Sequence, residues 1–192
     1  MKDLIAQVRN CRLCESHLPY YPKPIIQAHP TARLLIIGQA PGQKAHASGI
    51  PWNDASGNRL RNWLGLDTAT FYDSSRVAIM PMGFCYPGKG TSGDLPPRPE
   101  CAPQWHAKLL QQLPQLQLTL LIGQYAQHYY LPDAKSLTEN VRMTDLFLPN
   151  FWPLPHPSPR NQFWLRKNEW FEQDIIPSLK ATIHRIIHEK RA

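Results

Sequence analysis

No run in this 192-residue chain approaches the roughly 18 consecutive apolar residues of a membrane-spanning helix. The opening Met1-Lys2-Asp3-Leu4 lacks the apolar block of a secretory signal. Cysteines are few, four in all, and there is neither an internal repeat nor a linker-like tract. These absences argue against helical membrane spans, a secreted disulfide scaffold and a repeat array. The expectation is one domain covering residues 1–192, large enough for a good core, in the cytoplasm, and monomeric for want of any evident protein partner.

Acidic residues are also in short supply: 14 Asp and Glu face 21 Lys and Arg, and the sequence pI is near 9.4. That balance favours a polyanion partner, held through phosphate contacts and counterion release. The plainer reading is a soluble basic protein, because Lys180, Arg185, Lys190 and Arg191 suit a solvated helix face. Proline, by contrast, is abundant: 20 residues, about twice the usual share of roughly 5%. The prolines cluster at 19–30, 81–103 and 149–159, where they shape long ordered loops.

Short apolar runs predict strands at 33–37, 77–80, 116–122 and 150–154. Helical spacing is found at 2–10, at 57–65 with Ser56 as cap and Gly65 as stop, and at 103–113. A further helix follows Gly123, and 162–190 is helical with a break at Pro177. Residues 43–54 read as loop, 139–148 as a short irregular segment, and 81–99 as a long loop without apolar periodicity. Strands alternating with helices predict an α/β fold in three α/β/α layers around a mainly parallel four-stranded sheet.

The four cysteines are Cys11, Cys14, Cys85 and Cys101, the first two in a Cys-x-x-Cys. In a cytoplasmic chain such a set suggests thiolate ligands rather than disulfides. The wide second spacing does not suit an ordinary zinc ribbon. Zinc with the same four ligands stays open, as do four ordinary buried cysteines, and His17 or His106 could substitute as ligands.

Two proline-stiffened loops stand out. Gly38-Gln39-Ala40-Pro41-Gly42 follows the first predicted strand, and Pro155-His156-Pro157-Ser158-Pro159-Arg160-Asn161 follows the last. A small-residue loop at the carboxyl end of a buried strand is where open α/β sheets hold ligands. Together with the cysteines, these loops resemble the uracil-DNA glycosylase superfamily, over about Cys11 to Ile176. The likeness is to the iron–sulfur branch (family 4), whose first loop usually reads Gly-Glu-Ala-Pro-Gly.

The resemblance implies a uracil-DNA glycosylase-like fold and a DNA glycosylase that hydrolyses the N-glycosidic bond of a flipped damaged base such as uracil. It implies a four-iron–four-sulfur cluster on Cys11, Cys14, Cys85 and Cys101, which suits Cys₄ thiolate coordination. His156 would stabilise negative charge on the departing base. Gly38, Ala40, Trp52 and Asn53 would form the base pocket, with Trp52 facing His156 across the space for the base; a core tryptophan is the plainer alternative. Pro157, Ser158 and Arg160 would touch DNA, with Lys89 and Arg98 as further backbone contacts.

Two positions depart from the family pattern. Gln39 stands where the family carries a carboxylate; it can hydrogen-bond but supplies neither a base nor a charge. Restoring that carboxylate with Gln39→Glu is expected to raise activity. Pro81 stands where the family's base-reading asparagine falls. Asp54 is the nearest substitute carboxylate and Asn53 could orient water, though both also suit a helix cap or turn beside Ser56. Two other readings therefore remain: a catalytically weak or inactive DNA-binding relative, and a metal-thiolate α/β protein with another substrate.

Overall fold

A computed structural model describes residues 1–131 and 133–188. Four strands, β1 (Leu34–Ile37), β2 (Val77–Ile79), β3 (Leu118–Ile122) and β4 (Phe151–Leu154), form one sheet in the order β2-β1-β3-β4. Every pairing is parallel: Leu34 lies opposite Val77 and Leu118, and Thr119 opposite Phe151. Parallel strands need covered faces, which is why β1 reads Leu-Leu-Ile-Ile without a polar residue and is buried throughout.

Alternation sorts the side chains of each strand to opposite faces. Leu34, Ile36, Val77, Ile79, Leu120, Ile122 and Leu154 join one core. That core packs against α3 (Ala55–Leu64) and α9 (Ile176–His188). Leu35, Ile37, Ala78 and Leu121 join the other, against α1 (Lys2–Arg9), α5 (Cys101–Leu110) and α6 (Gln124–Tyr130). The predicted three layers and four parallel strands are present.

Several boundaries differ from the sequence reading. Residues Gln43–Ser48 form a helix, α2, inside the predicted loop. Ala45 is its only buried residue, so it has no apolar stripe that a sequence pattern could display. The helix predicted at 57–65 starts at Ala55, and its cap is Asp54 rather than Ser56: the Asp54 carboxylate accepts from the Gly57 N–H at 2.8 Å. Gly65 ends it in the left-handed conformation, as expected. Two further short helices, α4 (Thr68–Tyr72) and α7 (Leu137–Arg142), flank the sheet.

The C-terminal helical region divides before Pro177, not at it. A helix α8 (Gln162–Lys167) stops at Asn168, and a π-helical turn (Phe171–Ile175) leads into α9. Pro177 lies in the first turn of α9, where a missing N–H costs nothing. Lys190 and Arg191 lie outside the described residues.

Candidate active site

Strand order reverses between β1 and β3, and there the carboxyl ends of the strands open a crevice. A cleft of about 570 Å³ occupies it, lined by Gly38 to Gly42 after β1, Gln124 after β3, and His156, Ser158, Arg160 and Asn161 after β4. Pro51, Trp52, Asp54 and Ser56 close one side, and Ser92, Gly93 and Asp94 another. More than a hundred residues separate the first and last loops in sequence. The parallel topology brings them to one edge.

His156 is held by its own loop. The Ser158 N–H donates to its Nδ1 at 3.2 Å, and Asn161 Nδ2 donates to its carbonyl at 2.7 Å. With Nδ1 accepting, the neutral ring carries its proton on Nε2. Nε2 has no hydrogen-bond partner among the described residues. Burial lowers the imidazole pKa below its usual 6.5, against an upward pull from Asp54. The ring is thus a neutral N–H donor at neutral pH. Arg59 donates to the Ser158 carbonyl at 3.1 Å and ties this loop to α3.

Trp52 holds a left-handed backbone with φ 56, uncommon for a bulky residue. Its indole lies on Gly38 so closely that a Cβ there would come within 2.7 Å of Cζ2. Its ring centroid is 5.6 Å from that of His156, with the planes tilted by 35°. Trp52 was expected to face His156 across the space for the base; the two rings are instead adjacent, too close at this separation for a base to lie between them. Trp52 and His156 are neighbouring walls of the cleft.

Gln39 turns outward along the rim, where its Nε2 donates to the Leu95 carbonyl at 2.9 Å. Asn53 is exposed and does not line the cleft, because the turn that lays Trp52 on Gly38 points its neighbour to solvent. Pro157 is buried beneath its loop and does not line the cleft, whereas Ser158 and Arg160 do. Lys89 pairs with Asp94 in an isolated antiparallel bridge within the middle loop. Arg98 is bound to the Glu100 carboxylate, away from the cleft. Pro81 lines the floor, and its carbonyl is taken by Nε2 of buried His106 at 3.1 Å; His106 Nδ1 in turn meets the Tyr130 hydroxyl at 2.6 Å.

Asp94 was not singled out by the sequence. It is the sole acidic residue between Pro81 and Pro99, a signal available but easily passed over in a loop without periodicity. An atom at the Cβ position of Gly42 would lie 3.4 Å from Asp94 Oδ2 and 3.9 Å from Asp54 Oδ2. Two carboxylates therefore face one point of the cleft wall.

On the face of the sheet covered by α1 and α5, Cys11, Cys14, Cys85 and Cys101 line one small apolar cavity with Val8, Leu18, Phe84 and Trp105. Burial, and then the neighbouring Cys101, push the Cys14 thiol up to about 12; burial lifts Cys85 to about 11. The Cys14 thiol lies 3.6 Å from Glu100 Oε2. Among the described residues, no group of three or more His, Cys, Asp or Glu side chains is arranged to hold a metal ion. The cysteines thus share a cavity wall without closing on a single point. Their chemistry, four soft donors in an apolar shell, fits a thiolate-bound metal or cluster. Neither His17 nor His106 lines that cavity.

The model of the family described as the uracil DNA glycosylase superfamily matches residues 26–180, most of the chain. A solution NMR structure of a putative uracil DNA glycosylase from Methanosarcina acetivorans is 18% identical. That match covers 84% of this chain and 94% of the other, at a TM-score of 0.45. The structural likeness is loose, and the fold rests on the strand topology itself.

Proposed function

The chain belongs to the uracil DNA glycosylase superfamily, and we propose that it excises a flipped base, such as uracil, from DNA by hydrolysing the N-glycosidic bond with His156 as the donor to the leaving group. The observation that supports this most is the fixed tautomer of His156. Its Nδ1 is occupied by the Ser158 N–H, so Nε2–H is the donor in a cleft at the strand ends. Cleavage of the C1′–N bond leaves negative charge on the base, chiefly on a carbonyl oxygen, and a preoriented donor stabilises it where it develops. Trp52, pressed on Gly38, offers an aromatic wall that offsets part of the few kcal/mol of unstacking. Ser158 and Arg160 lie at the mouth, where phosphates of the extruded strand would pass.

The test is a panel of uracil, hypoxanthine, xanthine and thymine-mismatch duplexes, with abasic sites read by alkaline cleavage. The wild type should excise at least one of these bases. His156→Ala should slow excision about 100- to 1,000-fold with DNA affinity nearly unchanged, because phosphate contacts supply the affinity. Full excision by His156→Ala refutes the histidine role. No excision from any duplex, with salt-dependent DNA binding retained, favours a binding-only relative, a reading that Gln39 and Pro81 already support by their departure from the family's residues.

We further propose that Cys11, Cys14, Cys85 and Cys101 hold a four-iron–four-sulfur cluster, with zinc as the alternative occupant. Such a group would cross-link the N-terminal segment to the middle loop and supply no chemistry to the base. Protein purified without oxygen should be brown, absorb near the violet, and contain iron and acid-labile sulfide. Stoichiometric zinc would replace the cluster with the alternative, and four freely reacting thiols in native, metal-free protein would exclude both.

A further inference from the structure

We propose that Asp94 is the carboxylate that holds the attacking water and faces the positive charge developing on the sugar, with Gln39 as the residue that positions it. This rests on the glycosylase reading above. It answers the question that reading leaves open: position 39, where the family's first loop carries a carboxylate, holds an amide.

The middle loop brings Asp94 to the cleft and is tied down at several points. Gly90 N–H donates to the Gly93 carbonyl at 2.6 Å and Leu95 N–H to the Gly88 carbonyl at 2.8 Å, closing a tight turn. Gln39 Nε2 donates to the Leu95 carbonyl, the residue after Asp94, at 2.9 Å. From the opposite rim, Arg160 Nη1 donates to the Ser92 carbonyl at 3.1 Å. The residue in the family's carboxylate position and a residue of the histidine loop thus both grip the segment that carries Asp94. That carboxylate arrives beside Gly42, within the same loop as Gln39.

Asp54 faces the same point but already accepts the Gly57 N–H through Oδ1 as the cap of α3. Asp94 lines the cleft, and its carboxylate has no hydrogen-bond or ion-pair partner among the described residues, so both oxygens can take water. The charged and titratable groups that face Asp94 are Arg160, Asp54 and Lys89, with Tyr86 nearby. Partial burial in the cleft wall raises its pKa; Arg160 and Lys89 oppose the rise and Asp54 adds to it.

In the step that follows, the water oxygen bonds to C1′ as the C1′–N bond breaks. The electron pair of that bond leaves with the base, whose oxygen accepts from His156 Nε2–H. One water proton passes to Asp94, leaving a hydroxyl on C1′.

The experiment is single-turnover excision, at saturating protein, of whichever base of the panel the wild type removes, followed from pH 3.5 to 8. Wild-type rate should fall on the acid side as Asp94 takes up a proton. Asp94→Asn should be slower by about 100-fold or more and lose that acid limb, and Asp94→Glu should recover both rate and limb in part. Gln39→Ala should be slower by about fivefold to tenfold and keep the limb. A rate for Asp94→Asn within about threefold of wild type, or a slower rate with the acid limb unchanged, overturns the proposal while leaving the histidine mechanism in place. A wild type that excises nothing from the panel takes both down.

Discussion

At the scale of single residues, Gln39 shows how a structure can reverse an expectation. Read as the family carboxylate replaced by an amide, it invites Gln39→Glu as a gain-of-function change. The structure gives the amide a different role, since its N–H group donates to the Leu95 carbonyl. A glutamate at that place would be acceptor-only and would turn an attraction into a repulsion between two oxygens. Gln39→Glu is therefore expected to lower the excision rate, by about as much as Gln39→Ala or more, measured under single-turnover conditions beside the wild type. A rise above wild type would mean that a carboxylate at position 39 reaches the sugar after all, and that the Leu95 bond is incidental.

At the scale of elements, the first turn of α3 and the turn before it form one unit. Trp52 is held with positive φ, its carbonyl runs beside Gly57, and Asp54 caps the helix between them. A Cβ at Gly57 would stand 1.7 Å from the Trp52 carbonyl oxygen and 2.6 Å from its carbon, both backbone atoms that cannot rotate aside. Gly57→Ala should thus push the Trp52 turn off the helix. The expected cost is about 1–3 kcal/mol in chemical denaturation, the usual range for a forced backbone shift. Excision should fall further than stability alone explains, because Trp52 is the wall beside His156. A Gly57→Ala protein with wild-type midpoint and rate would show that the turn is looser than this packing implies.

At the scale of the molecule, the sheet floor carries a pH dependence of its own. His106, on α5, is buried between the Pro81 carbonyl below the cleft and the Tyr130 hydroxyl on α6. Burial lowers its pKa from 6.5 to about 4. Its folded pKa lies below its unfolded one, so the unfolded chain binds more protons in that window. Its contribution to stability is present above pH 6.5 and is lost as pH falls toward 4. The loss should amount to roughly 3 kcal/mol at most. Denaturant midpoints of the wild type should drop between pH 7 and pH 4.5, and His106→Gln should show a shallower drop over the same range. Equal slopes for the two proteins would place the acid sensitivity elsewhere.

The four strands were legible because a parallel sheet buries both faces, so β1 and β2 are short uninterrupted apolar runs and β3 is interrupted only by Thr119. The two loops that line the cleft were legible because prolines exclude helix and because each follows a predicted strand. Gly65 was legible as a helix stop because the left-handed cap favours glycine. Such features are local: one residue's sterics, or a period of a few residues, decides each of them.

What the tertiary structure alone decided is which polar atoms share space. Helix α2 exists without an apolar stripe, and Asp54 rather than Ser56 caps α3 because the chain enters that helix two residues earlier. Trp52 touches His156 instead of standing opposite it, since its backbone turns left-handed over Gly38. Asn53 and Pro157 sit in the right segments and face away from the cleft. Asp94 lies more than fifty residues from Gln39 in sequence, yet the two are joined through Leu95 at one rim. The sequence alone determined the layers, the sheet and the loops at its carboxyl edge, because short-range sterics and burial set them. Which side chains meet in the cleft was decided only when parallel strand order closed contacts tens of residues apart, where no local period carries a signal.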